Sequence, residues 1–331
     1  MQKRKLGQQG LEVSAIGLGC MGMSFAYGGV NDATAIEVLH RALDLGVNMW
    51  DSAVMYGPFK NEELLGKALK GRPRESVIIA TKFAYRYGDK GEILGLDGSP
   101  AHVKSTIEGS LKRLGTDYID LYYQHRLDPN TPIEDTVGAM AELVKSGKVR
   151  YIGLSEVGPG TIRRAHAVYP LSAIQTEYSL WERGIENEIL STMRSLGIGL
   201  VAYSPIGRGF LSGKITSIEG FVASDSRRRH PRFQGENFTH NMQIVDDVRK
   251  IAAKHSVTPA QVALAWLLRR GDDIVPIPGT RHVSYLEENV AAATLQLPDS
   301  AWSDLDRAVA SFHVAGQRYP ESSMRMIDTT R

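Results

Sequence analysis

The chain predicts an α/β protein, a single (β/α)8 barrel of the TIM-barrel kind with an N-terminal β-hairpin as a cap. Three observations carry this. Eight short β-branched segments alternate with longer amphipathic ones, as repeated strand, crossover helix, strand units require. Most amphipathic stretches end at or near glycine or proline. No linker divides the 331 residues, so one domain over 1–331 is expected.

The elements follow in order. Residues 3–6 and 11–15 flank Gly7-Gln8-Gln9-Gly10 and read as a hairpin able to plug the barrel bottom. The expected barrel strands are 16–19, 47–51, 77–82, 119–125, 149–154, 173–176, 199–203 and 274–277. Eight is the number that closes a parallel barrel. Among the helices, 32–45 opens at Asp32 as a cap and repeats Ile36, Leu39 and Leu43 along one face until Gly46. Segments 100–114, 133–146, 185–196 and 283–293 read the same way. From Ile206 to about Thr239 the pattern lapses, with glycines, Arg227-Arg228-Arg229 and Pro231 but little periodicity. A connection of that length is a solvated loop or a lid over a ligand.

Composition narrows the function classes. Hydrophobic residues make up 42% and charged residues 23%, the balance of a globular chain. Net charge is only +2, too little for a general attraction to nucleic acid or anionic lipid. The lone Cys20 excludes an internal disulfide and argues against a thiolate zinc site, so no metal is expected. The basic start Met1-Gln2-Lys3-Arg4-Lys5 leads into no apolar core of a signal peptide, and no later stretch has the length of a membrane span. The expectation is a cytoplasmic protein with a small-molecule substrate and an open oligomeric state.

Gly17-Leu18-Gly19-Cys20-Met21-Gly22 matches the dinucleotide fingerprint literally. That fingerprint needs a helix to open at once, with its N-terminal amides on the pyrophosphate, and residues 23–31 have no helical face. The match reads instead as a glycine-rich strand-to-helix loop lying close to a ligand through Gly19, Cys20 and Met21.

More telling are polar residues at the C-terminal ends of the strands, where active sites of such barrels sit. Asp51, Lys82 and His125 each end a strand, and Tyr56 follows five residues after Asp51. Singly they read as a loop cap, a strand-end charge, a buried histidine and a rim aromatic. Together they make a proton donor: the lysine ammonium would lower the pKa of the phenol, Asp51 would keep the lysine charged, and His125 would fix a substrate oxygen.

These residues lie in Gly46-Val47-Asn48-Met49-Trp50-Asp51-Ser52-Ala53, Tyr56-Gly57, Ala80-Thr81-Lys82 and Leu121-Tyr122-Tyr123-Gln124-His125. With Gly147 to Ser155, Tyr203 to Gly207 and Pro276 to Arg281 running on to Asn289, they resemble the aldo-keto reductase family over essentially the whole chain. The branch with Gly-Leu-Gly-Cys-Met-Gly-Met and Gln-His-Arg signatures is the nearest in pattern. The resemblance implies NADPH-dependent reduction of an aldehyde or ketone, with Tyr56 as proton donor and Asp51, Lys82 and His125 completing a tetrad. It further implies that Ser155 and Gln175 hold the carboxamide and that Tyr203 stacks on the nicotinamide. Ser204, Pro205, Gly207, Leu211, Gly213 and Lys214 would form the pyrophosphate loop. Thr280, Arg281, Glu288 and Asn289 would surround the adenosine and its 2′-phosphate.

Two positions depart from the family pattern. Glu156 stands where asparagine is frequent and is expected either to accept from the carboxamide or to turn away, so that asparagine there should be tolerated. Tyr285 stands where many relatives carry arginine, which leaves phosphate recognition to Arg281. Rival readings are a cofactor-binding accessory subunit with little turnover, and a Rossmann dehydrogenase with a separate substrate domain.

Overall fold

The computed structural model describes residues 1–28, 31–88 and 90–330. The chain opens with an antiparallel hairpin, β1 (Lys3–Leu6) and β2 (Leu11–Ser14). Gly7 turns it with a positive φ of 73°, and a Cβ there would lie 2.8 Å from the Ser172 backbone. No other residue fits both demands.

Eight parallel strands follow: β3 (Leu18–Gly19), β4 (Met49–Asp51), β5 (Ile78–Phe83), β8 (Ile119–Gln124), β9 (Val149–Ser155), β10 (Ala173–Glu177), β11 (Gly199–Tyr203) and β12 (Ile274–Pro276). Each pairs with the next in chain order. The sheet closes on itself where Gly17 N donates to Pro276 O at 3.0 Å and Gly19 bridges Gly279. The fold is the expected (β/α)8 barrel, and all eight expected strands are present with ends displaced by one or two residues.

Alternation along these strands fills the barrel. Met49, Ala80, Leu121, Tyr123, Ala173, Val201, Val275 and Ile277 form one apolar cluster with Leu6, Leu11 and Val13 of the hairpin. Their neighbours Trp50, Ile79, Tyr122, Ile174 and Ala202 pack outward in the larger core shared with the helices. The hairpin therefore stoppers one end of the barrel, as expected from the sequence. Arg4 secures it by donating to Leu268 O, Gly271 O and Ile274 O at 2.5–2.8 Å, carbonyls around the end of a helix.

The helices are α1 (Asp32–Asp44), α2 (Lys60–Leu69), α3 (Pro100–Leu114), α4 (Ile133–Lys145), α5 (Pro159–Val168), α6 (Ile189–Ser195), α7 (Gly235–Lys254), α8 (Pro259–Arg269), α9 (Val283–Ala291), α10 (Asp299–Ser311) and the short α11 (Glu321–Met324). Asn31, not Asp32, caps α1, its side chain accepting from Ala33 N. Segment 185–196 splits into a 3₁₀ turn at Gly184–Glu186 and α6. The sequence reading lacks a second hairpin, β6 (Tyr85–Tyr87) with β7 (Ile93–Leu96), whose outer face leaves Ile93 and Leu94 exposed and so shows no core pattern.

Segment 206–239 is neither a plain loop nor wholly irregular. It makes 3₁₀ turns at Gly207–Ser212, Ser226–Arg229 and Pro231–Phe233, and α7 already begins at Gly235. Ser226 N donates to Ala26 O at 2.8 Å, which straps the segment across the barrel mouth to the loop after β3.

Candidate active site

Strand parity decides which side chains meet at the mouth. Inward Met49 puts Asp51 inward, Ala80 puts Lys82 inward, Tyr123 puts His125 inward, and Ala173 and Val201 do the same for Gln175 and Tyr203. Gly153 is required beside them, because a Cβ would lie 2.6 Å from the Tyr123 ring.

Tyr56 arrives from the turn between β4 and α2. Val54 N donates to Lys82 O, and Asn61 N donates to Tyr56 O, at 3.1 Å each. The buried Asn61 side chain accepts from Ser52 Oγ and donates to Cys20 O and Ser24 Oγ. The turn thus has a fixed shape, which returns the phenol over β5.

Lys82 Nζ donates to Asp51 Oδ1 at 2.5 Å, to Ser52 O at 2.7 Å and to the Tyr56 hydroxyl at 3.3 Å. Gln175 Nε2 donates to the other Asp51 oxygen at 2.7 Å. Burial pushes Asp51 up and Lys82 down, and their contact offsets part of each shift. His125 meets Tyr56 and Tyr85 edge to face at 5.9 and 5.4 Å between ring centres. Burial, then the charges of Arg126 and Lys82, hold its imidazole well below the usual histidine pKa, so it is neutral at pH 7 and carries one N–H.

The phenol itself differs from the sequence expectation. Burial, followed by the Asp51 carboxylate, pushes Tyr56 well above the ordinary tyrosine value. The lysine charge is spent on Asp51, and the hydroxyl stays protonated.

Asp51, Tyr56 and His125 line one end of a cavity of about 760 Å³, with the Lys82 side chain fully buried behind them. Gly19, Met21, Ser155, Gln175, Tyr203, Ser204, Pro205, Lys214, Thr280, Arg281, Glu288 and Asn289 line it too, so the structure gathers most of the residues singled out in the sequence. Four of the residues expected around the cofactor fall outside the lining. Leu211 is fully buried in the core, Gly207 lies under the Trp181 ring, Gly213 abuts Arg249, and Cys20 is buried beneath the mouth. Their amides donate to Ile206 O, Ser204 O, Phe210 O and Asp51 O respectively, and so are not free for phosphate oxygens.

Several lining residues lack an individual signal in the sequence: Tyr27, Tyr85, Arg126, Arg208, Arg227, Arg229 and His282. The arginine run did signal a ligand lid as one alternative, and Arg227 and Arg229 do line the cavity beneath the strap. Arg281 Nη1 donates to Tyr27 O at 3.0 Å and Gly28 O at 3.2 Å, tying the two sides of the cavity's far end. Tyr285 stands beside it under Lys214 Nζ, 3.9 Å from the ring centre.

Glu156 resolves in favour of turning away from the carboxamide position. Buried, with φ of 55°, its Oε1 accepts from Thr176, Glu177 N, Tyr203 and Arg318, and its Oε2 from Arg318 at 2.9 Å. Burial alone would raise its pKa, but Arg318, then Arg126, Tyr203 and the Glu177 amide, hold it below the usual carboxylate value. Ser204 and Arg208 share its left-handed backbone, with φ of 48° and 58°, a conformation that surrounding structure must enforce. Beyond α10 the chain returns over the mouth, and Tyr319 hydrogen-bonds Tyr203 at 2.7 Å.

The fold and site define an oxidoreductase barrel, and comparison with known proteins agrees. The Aldo/keto reductase family model matches residues 15–310. The chain is 48% identical to Probable aldo-keto reductase 1 of Glycine max over 96% of this chain and 92% of that one. Among solved structures it resembles the glycerol dehydrogenase of Gluconobacter oxydans, with a TM-score of 0.86, 28% identity and coverage of 96% and 98% of the two chains. An aldo-keto reductase of Bacillus halodurans gives a TM-score of 0.76 at 29% identity, with coverage of 93% and 96%. The chain belongs to the aldo/keto reductase family. The Rossmann alternative is overturned: β3 runs into a 3₁₀ turn at Met21–Met23, and the first helix opens only at Asp32.

Proposed function

We propose that this chain, as a single domain over 1–331, reduces the carbonyl of a small aldehyde or ketone with NADPH. The observation that carries the reading is the buried, protonated Tyr56 hydroxyl 3.3 Å from the Lys82 ammonium, beside neutral His125 in a cavity that runs on to cationic side chains.

The residues fit the cofactor. Lys214, Arg227, Arg229 and Arg281 supply positive charge along the cavity's strap and far end, suited to phosphates, while Ser155 and Gln175 offer polar atoms near the tetrad. Tyr203 supplies a flat face, its hydroxyl held by Glu156. When bound, NADPH supplies hydride to the carbonyl carbon.

The chain's own residues manage the proton and the geometry. The His125 N–H holds the carbonyl oxygen, and Tyr56 donates its proton to that oxygen as negative charge develops there. The new phenolate lies next to Lys82, whose charge is fixed by Asp51, so the proton lost from Tyr56 is compensated locally.

A panel of aldehydes and ketones, followed by loss of reduced-nicotinamide absorbance with NADH in parallel, tests this. Turnover faster with NADPH is expected. Binding of NADPH with no turnover of any carbonyl would instead support the accessory-subunit reading.

A further inference from the structure

We propose that Arg126 is a specificity residue that takes a carboxylate on the carbonyl substrate. The proposal rests on the reductase reading and names a substrate class for it: an oxo acid or a carboxylate-bearing aldehyde.

Arg126 follows His125 and is only 8% exposed, yet it lines the cavity with Tyr56, Tyr85 and Tyr319. Its Nη1 donates to His125 O at 2.6 Å and to Ser155 Oγ at 3.4 Å. Among the described residues three arginines are buried as whole residues: Arg4, Arg126 and Arg232. Arg4 pairs with Asp272, and Arg232 with Glu177 and Glu182. Arg126 alone of the three is in no ion pair among the described residues. The nearby Glu156 carboxylate is committed to Arg318, Thr176, Tyr203 and the Glu177 amide.

A guanidinium withdrawn from water with no carboxylate in hydrogen-bond contact is costly even where the Glu156 charge acts on it from farther off, and a structure keeps it where a ligand completes it. Its planar fork of N–H donors matches a carboxylate with two parallel hydrogen bonds. The backbone fixes where that happens. Because Nη1 is tied to the carbonyl of His125, the fork sits at the reacting end of the cavity, whereas Lys214 and Arg281 serve the other end. A carboxylate held there orients the carbonyl toward Tyr56 and His125 in both ground and transition states, an effect that appears in KM more than in kcat.

The test uses the ortho, meta and para carboxybenzaldehydes against their methyl esters, with NADPH saturating. At least one acid should exceed its ester in kcat/KM by about tenfold or more, the worth of one charge-assisted contact. Arg126→Met should raise KM for that acid by about tenfold with kcat changed less than about threefold, and should leave the ester within about threefold. Arg126→Lys, which keeps charge without the fork, should retain part of the preference.

Calorimetric titration of benzoate against benzamide reads the same site without turnover. Selective benzoate binding in wild type, lost in Arg126→Met, would uphold the anion site even if no carbonyl were reduced. Acids no better than esters together with no benzoate preference in wild type would overturn it, whether or not the variants fold. Equal losses for acid and ester, or a loss of NADPH affinity as large as the loss for the acid, would overturn it too and make Arg126 a cofactor or structural residue.

Discussion

At Tyr56 two opposing influences meet: burial keeps the phenol neutral, while the Lys82 ammonium lies 3.3 Å from its oxygen, where the proposed reaction would leave a phenolate. In the proposed reaction the hydroxyl gives up its proton, while the ring supplies the packing against His125. Tyr56→Phe should therefore fold normally and bind NADPH with nearly unchanged affinity, while carbonyl reduction falls by about a hundredfold or more, the range for a lost general acid. Steady-state kinetics with cofactor titration decide it, and a normal kcat would remove Tyr56 from the proton-donor role. The four groups were legible in the sequence because each ends a strand or follows one closely. Their electrostatics were not, because the direction of the phenol's shift depends on burial and on Asp51 claiming the lysine, facts of packing alone.

Among the elements, the C-terminal segment depends on a buried carboxylate. Glu156 takes the Arg318 guanidinium, and its carbonyl accepts from Asp328 N at 3.2 Å. Asp328 accepts in turn from Gly158 N at 2.9 Å, and Gly160 N donates to Thr330 O. Tyr319 is delivered to the cavity by this docking. The structure argues against the expected tolerance of asparagine at 156, since a neutral residue would leave Arg318 with only the longer contact to Glu182 at 3.9 Å.

Glu156→Gln should lower stability by about 3–5 kcal/mol, as when one partner of a buried pair is removed. Because Arg318 holds the folded Glu156 carboxyl below the ordinary glutamate range, its contribution is complete above that range and is lost as pH falls through the depressed value. Denaturant titrations of wild type and variant should differ at pH 7 and converge at strongly acidic pH. A difference independent of pH would show that charge is not the source.

On the proposed reading, the connection between β12 and α9 sets cofactor choice through Arg281. Arg281→Ala should weaken NADPH by about ten- to a hundredfold while barely changing NADH, the difference being one charge-assisted contact to the 2′-phosphate. Fluorescence titration with both cofactors measures it. Equal losses would mean that the variant acts through the Tyr27 and Gly28 carbonyls that Arg281 also holds.

For the whole molecule, chemistry and stability occupy opposite ends of one barrel. Leu6, Leu11 and Val13 of the stopper are buried in the apolar cluster beneath the tetrad. Leu11→Ala should cost about 2–5 kcal/mol, the range for emptying a buried leucine site. Activity of the folded protein at moderate temperature should stay within about threefold of wild type, because the charged pair above it is anchored by strands rather than by the plug. Urea denaturation and kinetics on the same sample check both halves, and a large kcat loss without a stability loss would contradict the division.

By itself the sequence determined the barrel and its stopper and named Asp51, Tyr56, Lys82 and His125 as neighbours, because these depend on local pattern: period-two apolar runs, turn glycines and polar residues at strand ends. Segment 206–239 and the chain beyond 311 have no such period, so their crossing of the mouth was decided only by long-range contacts such as Ser226 to Ala26 and Arg318 to Glu156. The same holds for single residues. Leu211 and Gly213 lie in the loop after β11 but point their amides at their own chain, and Arg126 looked like any strand-end arginine. Parity along a strand is written in the sequence; which buried charge goes unpaired is written only in the packing, since it depends on what every neighbouring element has already claimed.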